Sequence, residues 1–452
     1  MRRRDFIRSL GAAGTLPLVA STGRAAAPVA QPGSRQRPNI LIIQPDQHSA
    51  LVMGCMGDHQ VQTPHLDALA AQGVHFENAV ANSPVCCPCR ASLQSGLYWH
   101  THGVDTNGIR LSPGFPCLAE VLHDEGYQTG YIGKWHLDGG IPPESPGGYI
   151  PPGPRRQGWR EWWGYEKSHE FFEVWRYNDR AKQERVPGYD WEPTWHTDMA
   201  LDFVERQTDA GDPWCYYVGY GPPHKPEQCP QQFLDLYDPA AFELSPAQKA
   251  HLSDEAELRR VLQMYYAQVT AVDHEVGRMM AGLDQLGVAE DTIVLYCSDH
   301  GDVLGSHGKI RGKSMPYATS FRVPTMFRWS GTIAPQRTDA LIGTPDLPAT
   351  LLDLAGIEAP VSWQGASFAP LCHGEAQATP DAVPLGLRGW NGVWDGRHVY
   401  SEGNPHCLYD HRNDPFEQKN LVNDSRLVAT MQEKMRAAMS ATGHPEYPTA
   451  SA

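Results

Sequence analysis

Four short strand-like runs, each stopping at a cluster of polar residues, restrict the fold more than any other feature of this chain. They are Asn39-Ile40-Leu41-Ile42-Ile43 before Asp46-Gln47, Tyr127 to Ile132 before Gly133-Lys134-Trp135-His136, Trp214 to Tyr220 before Pro222-Pro223-His224, and Thr292 to Cys297 before Ser298-Asp299-His300-Gly301. A run that is apolar at every position suits a strand covered on both faces, as in a parallel sheet. Helical patterns lie between the runs. Thr63 is placed to cap one that opens at Pro64 and ends at Gly73; others cover Leu118 to Glu125 and about Asp198 to Gln207. The longest keeps apolar residues at helical spacing from Leu258 to Leu283, with Ser253 or Asp254 as its cap. A further strand and helix fit Pro324 to Arg328 and Leu347 to Leu354. This alternation predicts an α/β fold, a doubly wound and mostly parallel sheet between helices. Ligands of such sheets bind beyond the carboxyl ends of the strands. Asp46/Gln47, Lys134/His136, His224 and Asp299/His300 are therefore expected on one rim.

The texture changes after about Gly374. Trp390 to Tyr400 and His406 to Tyr409 read as short strands and Leu427 to Met439 as a closing helix. We expect a catalytic domain over residues 36–374 and a smaller subdomain over 375–452. Residues 147–193 are long, irregular and rich in aromatics, more like a substrate-facing insertion than core. Trp159, Trp162, Trp163, Tyr165, His169 and Trp175 there could stack on sugar faces, and each could equally be packing.

The chain's 41% hydrophobic residues support a substantial core. Its formal charge of −15 disfavours nucleic acid as a partner. An anionic substrate must then be met by a local basic cluster, not by the global field. Arg3-Arg4-Asp5-Phe6-Ile7 resembles a twin-arginine motif; a short apolar stretch and Ala25-Ala26-Ala27 follow. Residues 1–27 thus read as an export signal, which places the mature protein in a bacterial periplasm or outside the cell. Neither this stretch nor any other is long and apolar enough for stable membrane insertion. Ten cysteines without regular spacing give no disulfide framework.

Cys86-Cys87-Pro88-Cys89-Arg90 is the most reactive-looking stretch. Pro88 would open a helix at its first position, and Arg90 would sit one turn from Cys86 with a donor fork suited to an oxyanion. Three cysteines in four residues could also ligate a metal, but zinc needs a second pair, and Cys117 and Cys215 stand alone.

This C-x-P-x-R string resembles the maturation site of type I sulfatases. Pro38-Asn39-Ile40-Leu41, Thr63-Pro64-His65-Leu66-Asp67, Gly133-Lys134-Trp135-His136-Leu137, Ser298-Asp299-His300-Gly301 and Leu408-Tyr409-Asp410 look like further landmarks of that family, in its order. The resemblance implies the alkaline-phosphatase-like fold with a smaller C-terminal antiparallel α+β subdomain. It implies that Cys86 is oxidised to formylglycine by a formylglycine-generating enzyme, and that the hydrated aldehyde is the nucleophile. Asp46, Gln47, Asp299 and His300, with the matured Cys86, would hold one divalent cation. Ca²⁺ is expected first, with Mg²⁺ or Mn²⁺ as alternatives. Arg90, Lys134 and Lys313 would supply positive charge, with Lys309 and Arg311 as rivals for the Lys313 role. His136 would contact the hydrate, and His224 would protonate the leaving oxygen.

Three departures stand out: Gln47 where many members carry a second Asp, His300 where many carry Asn, and Cys89 where Ser or Ala is usual. The function implied is hydrolysis of an organic sulfate ester, a small molecule or a sulfated carbohydrate. The alternative on the same fold is a phosphonate monoester or phosphodiester hydrolase. A reading of another class is an exported glycan-binding protein with a dead site.

Overall fold

The computed structural model describes residues 37–140, 148–168, 170–177, 179, 183–226, 228–250 and 252–448. The expected export signal and His169 lie outside the described residues.

Strand β1 (Asn39–Ile43) is the middle of the molecule. All five of its residues are buried, because it pairs in parallel with β7 (Trp214–Gly219) on one side and β8 (Thr292–Cys297) on the other. Helices cover both faces of the sheet. Outward from β7 come β3 (Gln128–Lys134) and β4 (Glu161–Tyr165), both parallel. On the far side of β8 lies β9 (Thr325–Arg328), antiparallel, then β2 (Val74–Val80) and β10 (Gln336–Gly343). The order among the described residues is β10-β2-β9-β8-β1-β7-β3-β4. It is an α/β sheet, mostly parallel, as the alternation predicts. In this order β8, β1, β7 and β3 are consecutive neighbours, about 4.8 Å apart. The four loops at their carboxyl ends, which carry the four polar clusters, are therefore side by side.

Close approach at this rim depends on Gly133. A Cβ there would lie 2.0 Å from the Gly219 carbonyl oxygen, and its φ of +99° is in glycine's territory. The long helix Glu255–Gln285 lies across the sheet and is capped by Asp254, whose side chain accepts the Glu257 N–H. It also supplies Asp273, which accepts the N–H groups of His65 and Leu66 at the start of helix Pro64–Gln72. Thr63 does not cap that helix itself; its hydroxyl turns to Asp67 and accepts the Gly54 N–H. The orphan donors are thus met from a distant helix.

A separate antiparallel sheet, β11 (Val383–Leu387), β12 (Trp390–Trp394), β13 (His398–Gly403) and β14 (Cys407–Asp410), follows in simple meander order. Met431, Met435 and Met439 of helix Ser425–Ala441 cover one face, against Val393, Tyr400 and Leu408. The other face packs on Val80, Val85 and Phe321. Val85 precedes Cys86, so this sheet supports the strand-to-helix turn that presents Cys86.

Several expectations change. The aromatic insertion is partly core: Trp159, Trp162 and Tyr165 are buried, and Trp162 stacks on Tyr131 at 5.0 Å because β4 is an edge strand of the main sheet. These rings face protein. Trp163 and Trp175 are half-buried. A small hairpin, β5 (Trp175–Tyr177) with β6 (Gln183–Arg185), lies inside the insertion. The helix expected from Asp198 begins at Glu192, because Pro193 suits its first turn. Strands β2 and β10 go unread in the sequence, since Glu77, Asn78 and Asp339 interrupt their apolar runs.

Candidate active site

Helix Cys86–Ser95 is buried along its whole length. It starts at Cys86, so Pro88 is its third residue and not its first; the missing N–H falls among the unpaired donors of the first turn either way. One turn on, Arg90 is almost fully buried. Its Nε donates to Asp299 Oδ2 at 2.9 Å, its Nη1 to the Lys134 carbonyl oxygen at 2.8 Å, and Nη2 lies 3.6 Å from Asp46 Oδ2. The guanidinium thus joins the loops after β1, β3 and β8.

The Cys86 sulfur is where the rim residues converge. Lys313 Nζ lies 3.0 Å from it, His300 Nε2 3.2 Å, Lys134 Nζ 3.4 Å and Asp46 Oδ1 3.9 Å. His136 also reaches it. Burial pushes the Cys86 thiol up, but Lys134, Lys313 and His300 outweigh it and hold the group well below the ordinary thiol range. Its neighbours behave oppositely. Burial pushes Cys87 up to about 12 and raises Cys89 strongly. All ten cysteines are free thiols, and among the described residues only Cys86 has several cations gathered on it. Burial tends to neutralise Asp46 as well, yet Lys134, which forms an ion pair with it, His224 and Lys313 hold it well below the carboxylate range.

Asp46, Cys86, Asp299 and His300 each offer a ligand atom within 4.8 Å of the others. The donors fit a divalent cation. His300 Nδ1 lies 2.9 Å from the Gly301 carbonyl oxygen, which only accepts, so Nδ1 carries a hydrogen and Nε2 faces the cluster. Gln47 donates its Nε2 to Asp302, which leaves Oε1 turned toward Lys313, 3.4 Å away. Two carboxylates, an imidazole that would give up its Nε2 proton to a cation, and an amide oxygen suit a hard or borderline ion.

Two of these residues adopt left-handed backbone, Gln47 with φ of +69° and His136 with φ of +58°. Non-glycine residues hold that conformation at a cost of about 1–2 kcal/mol, which persists where surrounding contacts over-determine it. Here the Gln47 N–H donates to Asp299 Oδ1 at 3.0 Å, and its carbonyl oxygen accepts from Tyr265 at 2.6 Å.

The ten residues singled out in the sequence all lie in this one place. Of the three basic candidates near residue 310, Lys313 faces Cys86, Arg311 pairs with Asp302, and Lys309 is exposed. Sequence reading missed Asp302. It is fully buried, takes Gln47 Nε2 and Arg311, and accepts the N–H groups of Leu304 and Gly312, so it folds the loop that delivers Lys313. The available signal is Ser298-Asp299-His300-Gly301-Asp302, a second acid one step past Gly301.

The sequence profile named Sulfatase matches residues 38–357. The chain belongs to the sulfatase family. The ulvan-active sulfatase of Formosa agariphila is 33% identical over 430 residues, covering 91% of this chain and 82% of that protein. Among solved structures, the yidJ protein of Bacteroides fragilis superposes with a TM-score of 0.85 at 28% identity, covering 93% of this chain and 99% of its own. BT4656, solved with its substrate D-glucosamine-2-N,6-O-disulfate, gives 0.80 at 21% identity over 91% of this chain and 99% of its own, a likeness of fold. This sulfatase therefore has the alkaline-phosphatase-like fold and is a sulfuric ester hydrolase. No helix among its described residues is long and apolar enough to cross a membrane.

Proposed function

We propose that this sulfatase releases inorganic sulfate from a sulfated carbohydrate, using formylglycine made from Cys86 and one divalent cation, Ca²⁺ before Mg²⁺ or Mn²⁺. The observation that carries the reading is the convergence of Lys134, Lys313 and His300 on the Cys86 sulfur. No other thiol of the chain is so placed. Oxidation to the aldehyde, whose hydrate has two hydroxyls on one carbon, supplies both a nucleophile and a route for expelling sulfate. Asp46, Gln47, Asp299 and His300, with position 86, would hold the cation, which supplies Lewis-acid polarisation there.

The chain's own residues do the rest. Lys134 and Lys313 approach the nucleophilic position and meet the charge of the sulfuryl oxygens. Arg90 holds Asp299 and the Lys134 carbonyl in place from behind. His136 faces position 86, where it would take a hydroxyl proton. His224 would serve the leaving oxygen. With two carboxylates against Arg90, Lys134 and Lys313, the cluster is locally basic within an acidic protein, as a sulfate ester requires.

The carbohydrate is proposed because one relative is ulvan-active and one structural neighbour was solved on a sulfated glucosamine. In the same proposal residues 1–27 direct twin-arginine export, so a formylglycine-generating enzyme acts before the folded protein leaves the cytoplasm. Residues 36–374 are then the catalytic domain and 375–452 the subdomain.

Assaying aryl sulfate, aryl phosphate and aryl phosphonate side by side tests the chemistry, and a panel of sulfated saccharides tests the substrate. Preference for the sulfate ester is expected. Better turnover of the phosphonate would favour a phosphonate monoester hydrolase.

A further inference from the structure

A cavity of about 400 Å³ opens where the main sheet meets the antiparallel one, and none of its lining residues belongs to the cluster around Cys86. Its walls come from four separate places: Asn78 of β2, Arg322 just past helix Ala318–Phe321, Trp394 and Arg397 around the β12–β13 turn, and His411 and Arg412 after β14. The volume falls in the usual range for small-ligand sites. Its chemistry is one-sided.

Three arginines face it, and their charge is incompletely matched. Arg397 forms a two-point pair with Asp410 at 2.8 and 2.6 Å. Arg322 gives one Nη2 hydrogen bond, at 2.6 Å, to the main-chain oxygen of Glu77; its Nε is buried and has no hydrogen-bond partner among the described residues. Arg412 enters no ion pair among the described residues. Trp394 is 1% exposed, and its indole N–H, a donor only, also lacks an acceptor. Asn78 spends its amide N–H on the Asp339 carbonyl oxygen. Buried donors in native proteins are almost always paired. Here two of them, on Arg322 and Trp394, line the same cavity as Arg397 and Arg412; Arg322, which Glu77 and Glu417 face, and Arg412 form no ion pair among the described residues. What the cavity lacks is an acceptor carrying negative charge.

We propose that this cavity is a second oxyanion site, taking a tetrahedral sulfate or phosphate group between Arg322, Arg412 and the Trp394 indole. Arginine forks and an indole N–H give donors in several directions, which a group with oxygens on every side satisfies. Free inorganic sulfate and a sulfate ester carried on a saccharide share this chemistry. The site itself does not depend on which ester the catalytic centre hydrolyses.

The probe is inorganic sulfate, titrated at constant ionic strength into full-length protein carrying Lys313→Ala to weaken the catalytic site. One binding event is expected to remain and to weaken on the order of tenfold or more when Arg412→Ala is added, the loss of a charge-assisted contact. Selenate soaked into crystals of the same protein should give an anomalous peak between Arg322 and Trp394. Equal sulfate affinity with and without Arg412→Ala, together with no peak in the cavity, overturns the proposal. In the otherwise unaltered protein, Arg412→Ala should leave turnover of a small aryl sulfate unchanged. A raised KM for a sulfated oligosaccharide alone identifies the saccharide as the source. Sulfate binding with both KM values unchanged identifies the free anion.

Discussion

Lys313 Nζ lies 2.9 Å from His224 Nε2, while His224 Nδ1 lies 2.6 Å from the Lys225 carbonyl oxygen. The carbonyl can only accept, so the Nδ1 hydrogen is spent there and Nε2 takes its hydrogen bond from the lysine ammonium. Burial lowers the His224 pKa well below the ordinary value, with Lys313 and Lys134 acting in the same direction and Asp46 against them. The resting imidazole is neutral, and the Lys313 ammonium at its Nε2 is the proton source it would relay to a leaving oxygen.

That arrangement makes leaving-group dependence the test of His224. On a sugar sulfate, whose alkoxide needs a proton, His224→Ala should cost about 10²–10⁴-fold in kcat/KM, the usual worth of general acid catalysis. On an activated aryl sulfate the loss should be much smaller. Lys313→Ala, which also removes charge beside position 86, should cost both substrates heavily. Equal losses for His224→Ala across leaving groups would make it a binding residue.

Asp299 carries three duties: it accepts from Arg90, accepts the Gln47 N–H, and stands in the cluster that fits a cation. A chelator should abolish turnover and a returned divalent ion restore it. Asp299→Ala should leave the protein inactive whatever ion is supplied, with the far-UV circular dichroism of the parent. Elemental analysis of active protein showing no stoichiometric divalent ion would contradict the cation's role.

The central strands and their rim were legible because the signals coincide there. Asn39–Ile43, Trp214–Gly219 and Thr292–Cys297 are buried at every position and mostly apolar, and each stops at titratable residues. Strands β2 and β10 were not legible, since half-exposed polar positions break their pattern and long-range pairing decides them. Trp159 and Trp162 stayed open for a related reason: a tryptophan that packs in the core and one in a sugar-binding loop look alike until burial is known. Asp302 was hard to assign because Gln47, one of its partners, comes from a loop far away in sequence.

Asp302 offers a test of positioning apart from chemistry. Asp302→Asn keeps the shape but removes the carboxylate that pairs with Arg311, which is only 11% exposed. Removing one carboxylate from such a buried pair is destabilising. We expect a lower Tm and a reduced kcat that the thermal loss does not explain, because Lys313 and Gln47 lose their anchor. Unchanged kcat at a temperature where the variant is fully folded would show that the loop is set elsewhere.

Glu192 gives a pH prediction with a definite sign. Burial, which outweighs Tyr165, the Gly221 N–H and Lys134, pushes its carboxyl up from an ordinary 4.5 to about 8. Between those values the folded state keeps a proton that the unfolded chain has lost. The contribution is fully present below the lower value and is lost as pH rises through the upper one, at about 1.4 kcal/mol per pH unit. Glu192→Gln removes the titration. The unfolding free energy of the variant relative to the parent should therefore climb steadily across that window. A difference independent of pH would contradict the assignment.

Catalysis turns on what position 86 becomes. Peptide mass analysis of active, exported protein measures it directly. An aldehyde or its hydrate is predicted at residue 86, with Cys87 and Cys89 still thiols and activity rising in proportion to the converted fraction. Full activity from protein in which residue 86 remains a cysteine thiol, or has been replaced by alanine, would contradict it.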